Sequence, residues 1–273
     1  MSIPDVSDKS LAELISLRGQ RAVVTGAGRG LGKAIALRLA EAGADVLIGD
    51  IEADLAITAA EQVAEAYGVR AIGVAMDVTD GSLVAAAADR AVAELGGLDI
   101  WVNNAGVFPS IPLLEMSDTD WEKVFAVNAR GVFLGAREAA RRMSAAGSGG
   151  AIVNIVSTAG FRASAPGLAA YVGSKHAVRG LTRELALELA PMGIRVLGVA
   201  PSFVPTEGNM MAHAAAGMPA GDDDTPPTPL MLSGPIGRVG VPDDIARVAL
   251  FCASDLSAFM TGSTLLADGG STV

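Results

Sequence analysis

Thr25-Gly26-Ala27-Gly28-Arg29-Gly30-Leu31-Gly32 is the stretch that decides how this chain is read. It follows a short apolar run, Ala22–Thr25, and opens an Ala- and Leu-rich stretch with helical spacing, Leu31–Ala42. Between such a strand and helix the backbone must turn tightly, and glycines let it approach a ligand more closely than a Cβ would allow. The helix that follows offers unpaired N–H groups and the positive end of its dipole, which together seat a pyrophosphate. A glycine cluster alone can be simply a turn, and its place after the first strand of a strand–helix–strand unit is what makes it informative. The expected cofactor contacts here are Gly26, Arg29, Gly30, Leu31 and Gly32.

Working outward, the rest of the chain repeats the same alternation. Val46–Asp50, Ala71–Met76, Asp99–Val102, Ala151–Val156, Arg195–Val199 and Ser263–Ala267 read as further strands. Most are near-continuous apolar runs, as strands buried on both faces should be. Asp54–Tyr67, Gly81–Leu95, Thr119–Met143, Leu168–Ala190 and Asp243–Cys252 carry helical spacing. The pattern predicts an α/β chain with a three-layer, doubly wound parallel sheet, a Rossmann fold in a single domain. That domain is expected over residues 19–273, with residues 1–18 as an N-terminal extension. In the extension, Ser10 and Glu13 form a capping-box pattern for a short helix ending near Leu17. Residues 203–240 are rich in Pro and Gly and contain Met210, Met211, Met218, Leu230, Met231 and Leu232. A long segment with adaptable apolar side chains suits a lid over an apolar ligand. Asp222, Asp223 and Asp224 within it read as a solvated tip.

Composition narrows the function. The 273 residues are 51% hydrophobic and 18% charged, enough to bury a sizeable core, and the net charge is −10. An acidic surface repels a duplex or an anionic membrane, so neither nucleic acid nor membrane is an expected partner. The single Cys252 and the two histidines, His176 and His213, leave no basis for a metal site. Met1–Ser10 lacks a basic stretch followed by an apolar one, and Met143–Phe161, the longest uncharged stretch, is broken by glycines and serines. Neither a secretory signal nor a membrane span is expected, and a reducing cytoplasm fits best.

Asp50 closes the second strand, 18 residues beyond Gly32. A carboxylate at this point can accept both ribose hydroxyls of an adenosine. A 2′-phosphate would meet it at short range, and like charges about 4 Å apart cost roughly 4 kcal/mol at an effective dielectric near 20. The expected cofactor is therefore NAD, with NADP disfavoured. Arg29 argues the other way, since a guanidinium in the turn could reach a 2′-phosphate. Asp50 could also be a turn or capping residue ahead of the next helix.

Tyr171 and Lys175 stand four apart on one expected helix, so both side chains leave the same face. A free phenol has a pKa near 10, and a base working near pH 7 to 8 needs about 3 to 4 kcal/mol of help. A neighbouring ammonium and an oxidised nicotinamide are suitable sources. Such a tyrosine takes a proton from an alcohol or returns one to a carbonyl. Ser157 ends the fifth strand at the carboxyl edge of the sheet, where its hydroxyl can hold a developing alkoxide. Asn128, inside the helix Thr119–Met143, points to a polar role, such as fixing a water near Lys175.

These residues and motifs resemble the short-chain dehydrogenase/reductase family, in its single-domain subgroup. The likeness runs from about Leu17 to Gly270. It is carried by the glycine turn, Asp77-Val78, Asn103-Asn104-Ala105-Gly106, Asn128, Ser157, Tyr171 to Lys175, Thr206 and Asp268-Gly269-Gly270. The resemblance implies Tyr171 as acid/base, Lys175 lowering its pKa and binding the nicotinamide ribose, Ser157 orienting the substrate oxygen, and Asn128 supporting a proton relay. It also implies that Asp77 meets the adenine amine with Val78 backbone beside it, that Asn104 lies near the adenine ribose, and that Thr206 lies near the carboxamide. The expected contacts further take in Ile51, Ala105, Gly106, Pro201 and Val204. Two features depart from the pattern: Ser202 stands where a glycine usually follows Pro201, and the N-terminal arm is longer.

The leading expectation is an NAD-dependent alcohol dehydrogenase or ketone reductase acting on a secondary alcohol of apolar, cyclic character. Within the same family the alternatives are a 3-oxoacyl reductase acting on a carrier-protein or CoA thioester, and a sugar or polyol dehydrogenase. A non-enzymatic NAD(H)-binding sensor would have lost the Tyr–Lys pair. A non-redox lyase or dehalogenase would have lost the glycine turn. The resemblance also implies a homotetramer, or a homodimer, pairing through the two long helices.

Overall fold

A computed structural model describes residues 5–210 and 234–273. Seven parallel strands form one sheet in the order β3-β2-β1-β4-β5-β6-β7. They are β1 Arg21–Thr25, β2 Asp45–Asp50, β3 Ala71–Ala75, β4 Ile100–Asn103, β5 Gly150–Ile155, β6 Ile194–Pro201 and β7 Thr264–Ala267. Strand order reverses between β1 and β4, which opens a crevice at the carboxyl ends of the strands. The doubly wound Rossmann architecture is the one expected from the alternation.

One face of the sheet is covered by α2 Gly30–Glu41, α3 Ala53–Tyr67 and α8 Pro242–Ala253, and the other by α4 Gly81–Arg90, α6 Gly131–Ala146 and α7 Ala169–Leu189. Burial on both sides explains why the central strands are apolar throughout. The two edge strands, β3 and β7, are only partly covered, and Leu266 on β7 is exposed. Small residues let the helices sit close to the sheet. A Cβ on Gly73 in β3 would come within 2.5 Å of the α3 backbone.

Two of the expected helices contain an irregularity. Gly81–Leu95 is α4 followed by a π turn, Ala91–Leu95. Thr119–Met143 is α5, Asp118–Phe125, then a π turn, Ala126–Arg130, then α6. The extension forms α1, Leu11–Ile15, with the expected capping box between Ser10 and Glu13. Leu17 beyond it is fully buried in the core, and Lys9 pairs with Asp255 at 2.6 Å, so the arm packs on the domain. Of the expected lid, residues 211–233 lie outside the described residues, and with them Met211, Met218, Leu230, Met231, Leu232, the three aspartates at 222–224 and His213.

Candidate active site

The glycine turn sits at the crevice, and its shape depends on missing side chains. A Cβ on Gly26, whose φ is +59°, would lie 2.8 Å from Ala105 Cα, and one on Gly28 would lie 2.8 Å from Leu55 Cβ. A Cβ on Gly32 would overlap the Gly26 carbonyl and the Asn104 amide. Asn104 explains the fit. Its Nδ2 donates to the carbonyls of Thr25 (2.9 Å) and Gly26 (2.8 Å), so its amide shapes the turn. Thr25 Oγ1 accepts from the N–H groups of Asn104 (2.9 Å) and Ala105 (3.0 Å), tying β1 to the end of β4. Thr206 closes the opposite side, 3.3 Å from where a Cβ on Gly30 would be. It is held by Asn209, whose Oδ1 accepts from Thr206 N at 2.7 Å.

The start of α2 has no side-chain cap: its N-cap residue, Arg29, makes no capping hydrogen bond. Uncapped N–H groups, a glycine floor and the positive end of the helix dipole fit a pyrophosphate. Asp50, 8% exposed, stands beside them at the end of β2. Its Oδ2 accepts from Gly28 N at 2.9 Å and its Oδ1 from Glu52 N at 3.1 Å. Arg29 is drawn toward this acidic strand end, where its guanidinium pairs with Glu52 at 2.9 Å. Ile51 is exposed beside them, while Val204 and Pro201 are buried at the end of β6. Asp77 Oδ1 accepts from Thr79 N and Oγ1, and Val78 packs under Gly131. No non-glycine residue among those described has a left-handed φ, so Ser202 is accommodated without strain.

Ser157, Tyr171 and Lys175 converge at the same edge of the sheet. Ser157 follows β5 and caps a short 3-10 turn, Thr158–Gly160, by accepting from Ala159 N at 3.1 Å. The same hydroxyl favours the ionised form of the Tyr171 phenol. Helix α7 rests directly on the turn, since a Cβ on Gly160 would lie 2.8 Å from the Lys175 carbonyl. Lys175 is 5% exposed; its Nζ donates to Ile155 O at 2.8 Å and lies 5.7 Å from the Tyr171 ring centroid. Burial lowers its pKa from 10.5 to about 8. Burial raises the Tyr171 phenol above 10, and only the Ser157 hydrogen bond opposes it. The protein alone therefore leaves the phenol protonated, and its activation needs positive charge beside it.

Asn128 lies in the π turn, fully buried, as irregular turns at functional sites often do. Its Nδ2 donates to Val107 O (2.8 Å) and Ser174 Oγ (3.0 Å), and its Oδ1 accepts from Val107 N (2.8 Å). Ser174 in turn donates to Tyr171 O at 2.7 Å. A chain of bonds thus runs from the loop after β4 through Asn128 to the helix that carries Tyr171. A Cβ on Gly106 would lie 3.3 Å from Asn128 Oδ1 and 3.8 Å from Lys175 Nζ, so this glycine sits between the two side chains. Below, a second buried chain joins Trp101 to Asn103 (2.7 Å), Asn103 to Asn154 (2.9 Å) and Asn154 to Thr182 (3.0 Å). It locks β4, β5 and α7 together beneath the reacting groups.

An apolar wall stands over Tyr171. The Phe108 ring meets it edge to face, with centroids 6.0 Å apart. Ile111 N donates to Gly167 O at 2.9 Å, which joins the loop after β4 to the loop before α7. Leu113 and Leu114 beyond are exposed. Glu52, Ser174, Asn209 and Phe108 were not singled out in the sequence. Only Ser174 carried a local signal, as a hydroxyl three residues after the tyrosine on its helix.

Known proteins extend the picture. A family profile described as Enoyl-(Acyl carrier protein) reductase matches residues 26–272. The chain is 44% identical to cis-4-hydroxycyclohexanecarboxylate dehydrogenase of Sinomonas cyclohexanicum, over 92% of this chain and 96% of that protein. It is 41% identical to D-threitol dehydrogenase of Mycolicibacterium smegmatis, over 94% of each. It is 37% identical to the 3-oxoacyl-(acyl-carrier-protein) reductase of Aquifex aeolicus, over 94% of this chain and 98% of that protein. Among solved structures, a short-chain type dehydrogenase/reductase from Mycobacterium marinum superposes with a TM-score of 0.86 at 36% identity, covering 96% of this chain and 99% of that one.

Proposed function

Because this chain belongs to the short-chain dehydrogenase/reductase family, whose members use nicotinamide cofactors, we propose that it is an NAD(H)-dependent oxidoreductase interconverting an apolar, cyclic secondary alcohol and its ketone. The observation that carries this reading is the Tyr171 phenol, whose ionised form Ser157 favours and whose ring centroid stands 5.7 Å from the Nζ of a buried Lys175.

In this reading the glycine turn, with Gly26, Arg29, Gly30, Leu31 and Gly32, holds the pyrophosphate on the open start of α2. Asp50 accepts the hydroxyls of the adenine ribose beside Ile51, and Asp77, Val78 and Asn104 to Gly106 flank the adenosine half. Lys175 holds the nicotinamide ribose, and Pro201, Val204 and Thr206 back the carboxamide. The bound nicotinamide supplies the hydride acceptor or donor. Ser157 Oγ–H holds the substrate oxygen. In oxidation Tyr171 Oη takes the proton of the alcohol; in reduction it returns that proton to the carbonyl oxygen. Lys175, as a cation, lowers the cost of the phenolate. Asn128 keeps Tyr171 in register through Ser174. Asp50 is the basis for choosing NAD, since a 2′-phosphate would crowd a second anion against it.

Phe108, Ile111, Leu113 and Leu114 favour an apolar ring over a polyol or a thioester, and the cyclohexanecarboxylate relative points the same way. The rival readings, a 3-oxoacyl thioester reductase and a polyol dehydrogenase, draw on the Aquifex and Mycolicibacterium relatives. Two apolar grooves on the helical faces support assembly into a tetramer. One lies between α6 and α7, lined by Phe133, Leu185, Leu189 and Met192, and the other runs past Leu187 and Gly262. No helix of the described residues is long and apolar enough to cross a membrane. Cys252 is a buried free thiol whose pKa burial pushes up to about 12, which suits a reducing cytoplasm.

The test is reduced-nicotinamide formation with cyclic alcohols, linear secondary alcohols, polyols and hydroxyacyl thioesters, each with NAD and with NADP. The reading expects turnover of cyclic alcohols with NAD. Turnover only with NADP, or only of thioesters or polyols, overturns it.

A further inference from the structure

Arg29 occupies a place that local physics disfavours, and Glu52 does not use its own place as a cap. Arg29 is the N-cap of α2, where a cation faces the positive end of the helix dipole and has no oxygen to offer the open N–H groups. Glu52 is the N-cap of α3 and makes no capping hydrogen bond there either. Instead the two side chains reach across to each other and pair at 2.9 Å. Glu52 N donates to Asp50, and Asp50 accepts from Gly28 N, so the residues of the pair flank the carboxylate expected to meet the ribose. On its other side Arg29 is confined, with its Nε 3.7 Å from where a Cβ on Gly208 would stand.

We infer that Glu52 is a specificity-determining residue for the cofactor: it holds the Arg29 guanidinium in an ion pair and so withholds it from a 2′-phosphate. This rests on the NAD reading and deepens it. Asp50 repels a 2′-phosphate, whereas Glu52 removes the cation that would otherwise compensate. Arg29 then serves the adenine side of the turn as a neutralised pair. Loss of the Glu52 charge frees a fork-shaped donor set, well matched to phosphate, at the mouth of the site.

Calorimetric titration of the full-length protein with 5′-AMP and 2′,5′-ADP reads this without turnover. Wild type is expected to bind 5′-AMP more tightly. Glu52→Gln is expected to shift the affinity ratio about tenfold toward 2′,5′-ADP, and adding Arg29→Ala should return the ratio to the wild-type side. A Glu52→Gln ratio within about twofold of wild type overturns the inference and leaves the NAD reading standing. A shift that survives Arg29→Ala also overturns it, because Glu52 would then act by simple repulsion. A wild type that prefers 2′,5′-ADP overturns the NAD reading itself. Both positions are partly exposed, and unchanged melting curves would exclude misfolding as the source of any shift.

Discussion

Helices α2 and α4 leave the same edge of the sheet, one after β1 and the other after β3, yet they begin in opposite ways. Asp80 caps α4, accepting from Ser82 N at 2.7 Å and Leu83 N at 3.4 Å. Ser117 does the same for α5 through Asp120 N. Helix α2 starts at Arg29 with no cap, over a floor of glycines that admit no side chain. At α4 and α5 the chain's own side chains close the first N–H groups. At the point where strand order reverses, those groups stay open over a glycine floor, which is what the proposed pyrophosphate site requires.

Substitutions in the first turns of the two helices sharpen the contrast. Gly32→Ala puts a methyl into the Gly26 carbonyl and should weaken nucleotide binding about 100-fold, with about 2 to 3 kcal/mol of stability lost. Gly81→Ala, at the corresponding start of α4, meets nothing closer than Leu134 at 3.5 Å and should raise stability by about 0.5 to 1 kcal/mol. Calorimetry and chemical denaturation read both. If Gly32→Ala bound nucleotide as wild type does, the floor of α2 would be a turn and no more.

Lys175→Met tests the reacting centre against its stability cost. The folded pKa of Lys175 is about 8 against 10.5 unfolded, so between those values the unfolded chain holds more protons. Wild-type stability therefore rises with pH through this window, and the full penalty of burying the charge is present below pH 8. After loss of the bond to Ile155 O, Lys175→Met should be about 1 to 2 kcal/mol more stable at pH 7. That advantage should shrink as pH climbs past 8, and alcohol oxidation should be nearly abolished. Equal or lower stability at pH 7 would mean that burial of this ammonium costs little.

Smaller effects separate the two helix starts directly. Asp80→Ala should cost about 1 kcal/mol in a denaturation curve and leave nucleotide affinity alone. Arg29→Ser supplies the missing cap and should add about 0.5 to 1 kcal/mol of stability. The same cap engages N–H groups that the proposed function assigns to phosphate, so nucleotide affinity should fall. A stabilised Arg29→Ser that bound nucleotide better would break the comparison.

The sheet and its helices were legible because parallel strands covered on both faces leave continuous apolar runs, and because glycines and acidic strand ends mark the crevice between them. Tyr171, Lys175 and Ser157 were legible from helical spacing and strand ends. The less visible parts depend on partners distant in the chain. Ser174 matters because Asn128, 46 positions earlier, donates to it. Glu52 matters because a turn 23 residues away presents Arg29. The π turns were not read from the sequence, because the one-residue phase shift each introduces falls among alanines that suit either face. Phe108 lies in a loop, where periodicity carries no information, and its role follows from the ring it touches.

The central claim is that Tyr171 moves the proton in a nicotinamide-dependent oxidation, and Tyr171→Phe tests it most directly. The measurement is the rate of NADH formation from a cyclic secondary alcohol, in the variant and in wild type, at a saturating NAD concentration confirmed by titration. The account predicts a rate at least about 1,000-fold lower in Tyr171→Phe, with NAD still bound. A variant that turned over within about tenfold of wild type would contradict it and move the acid/base role away from this phenol.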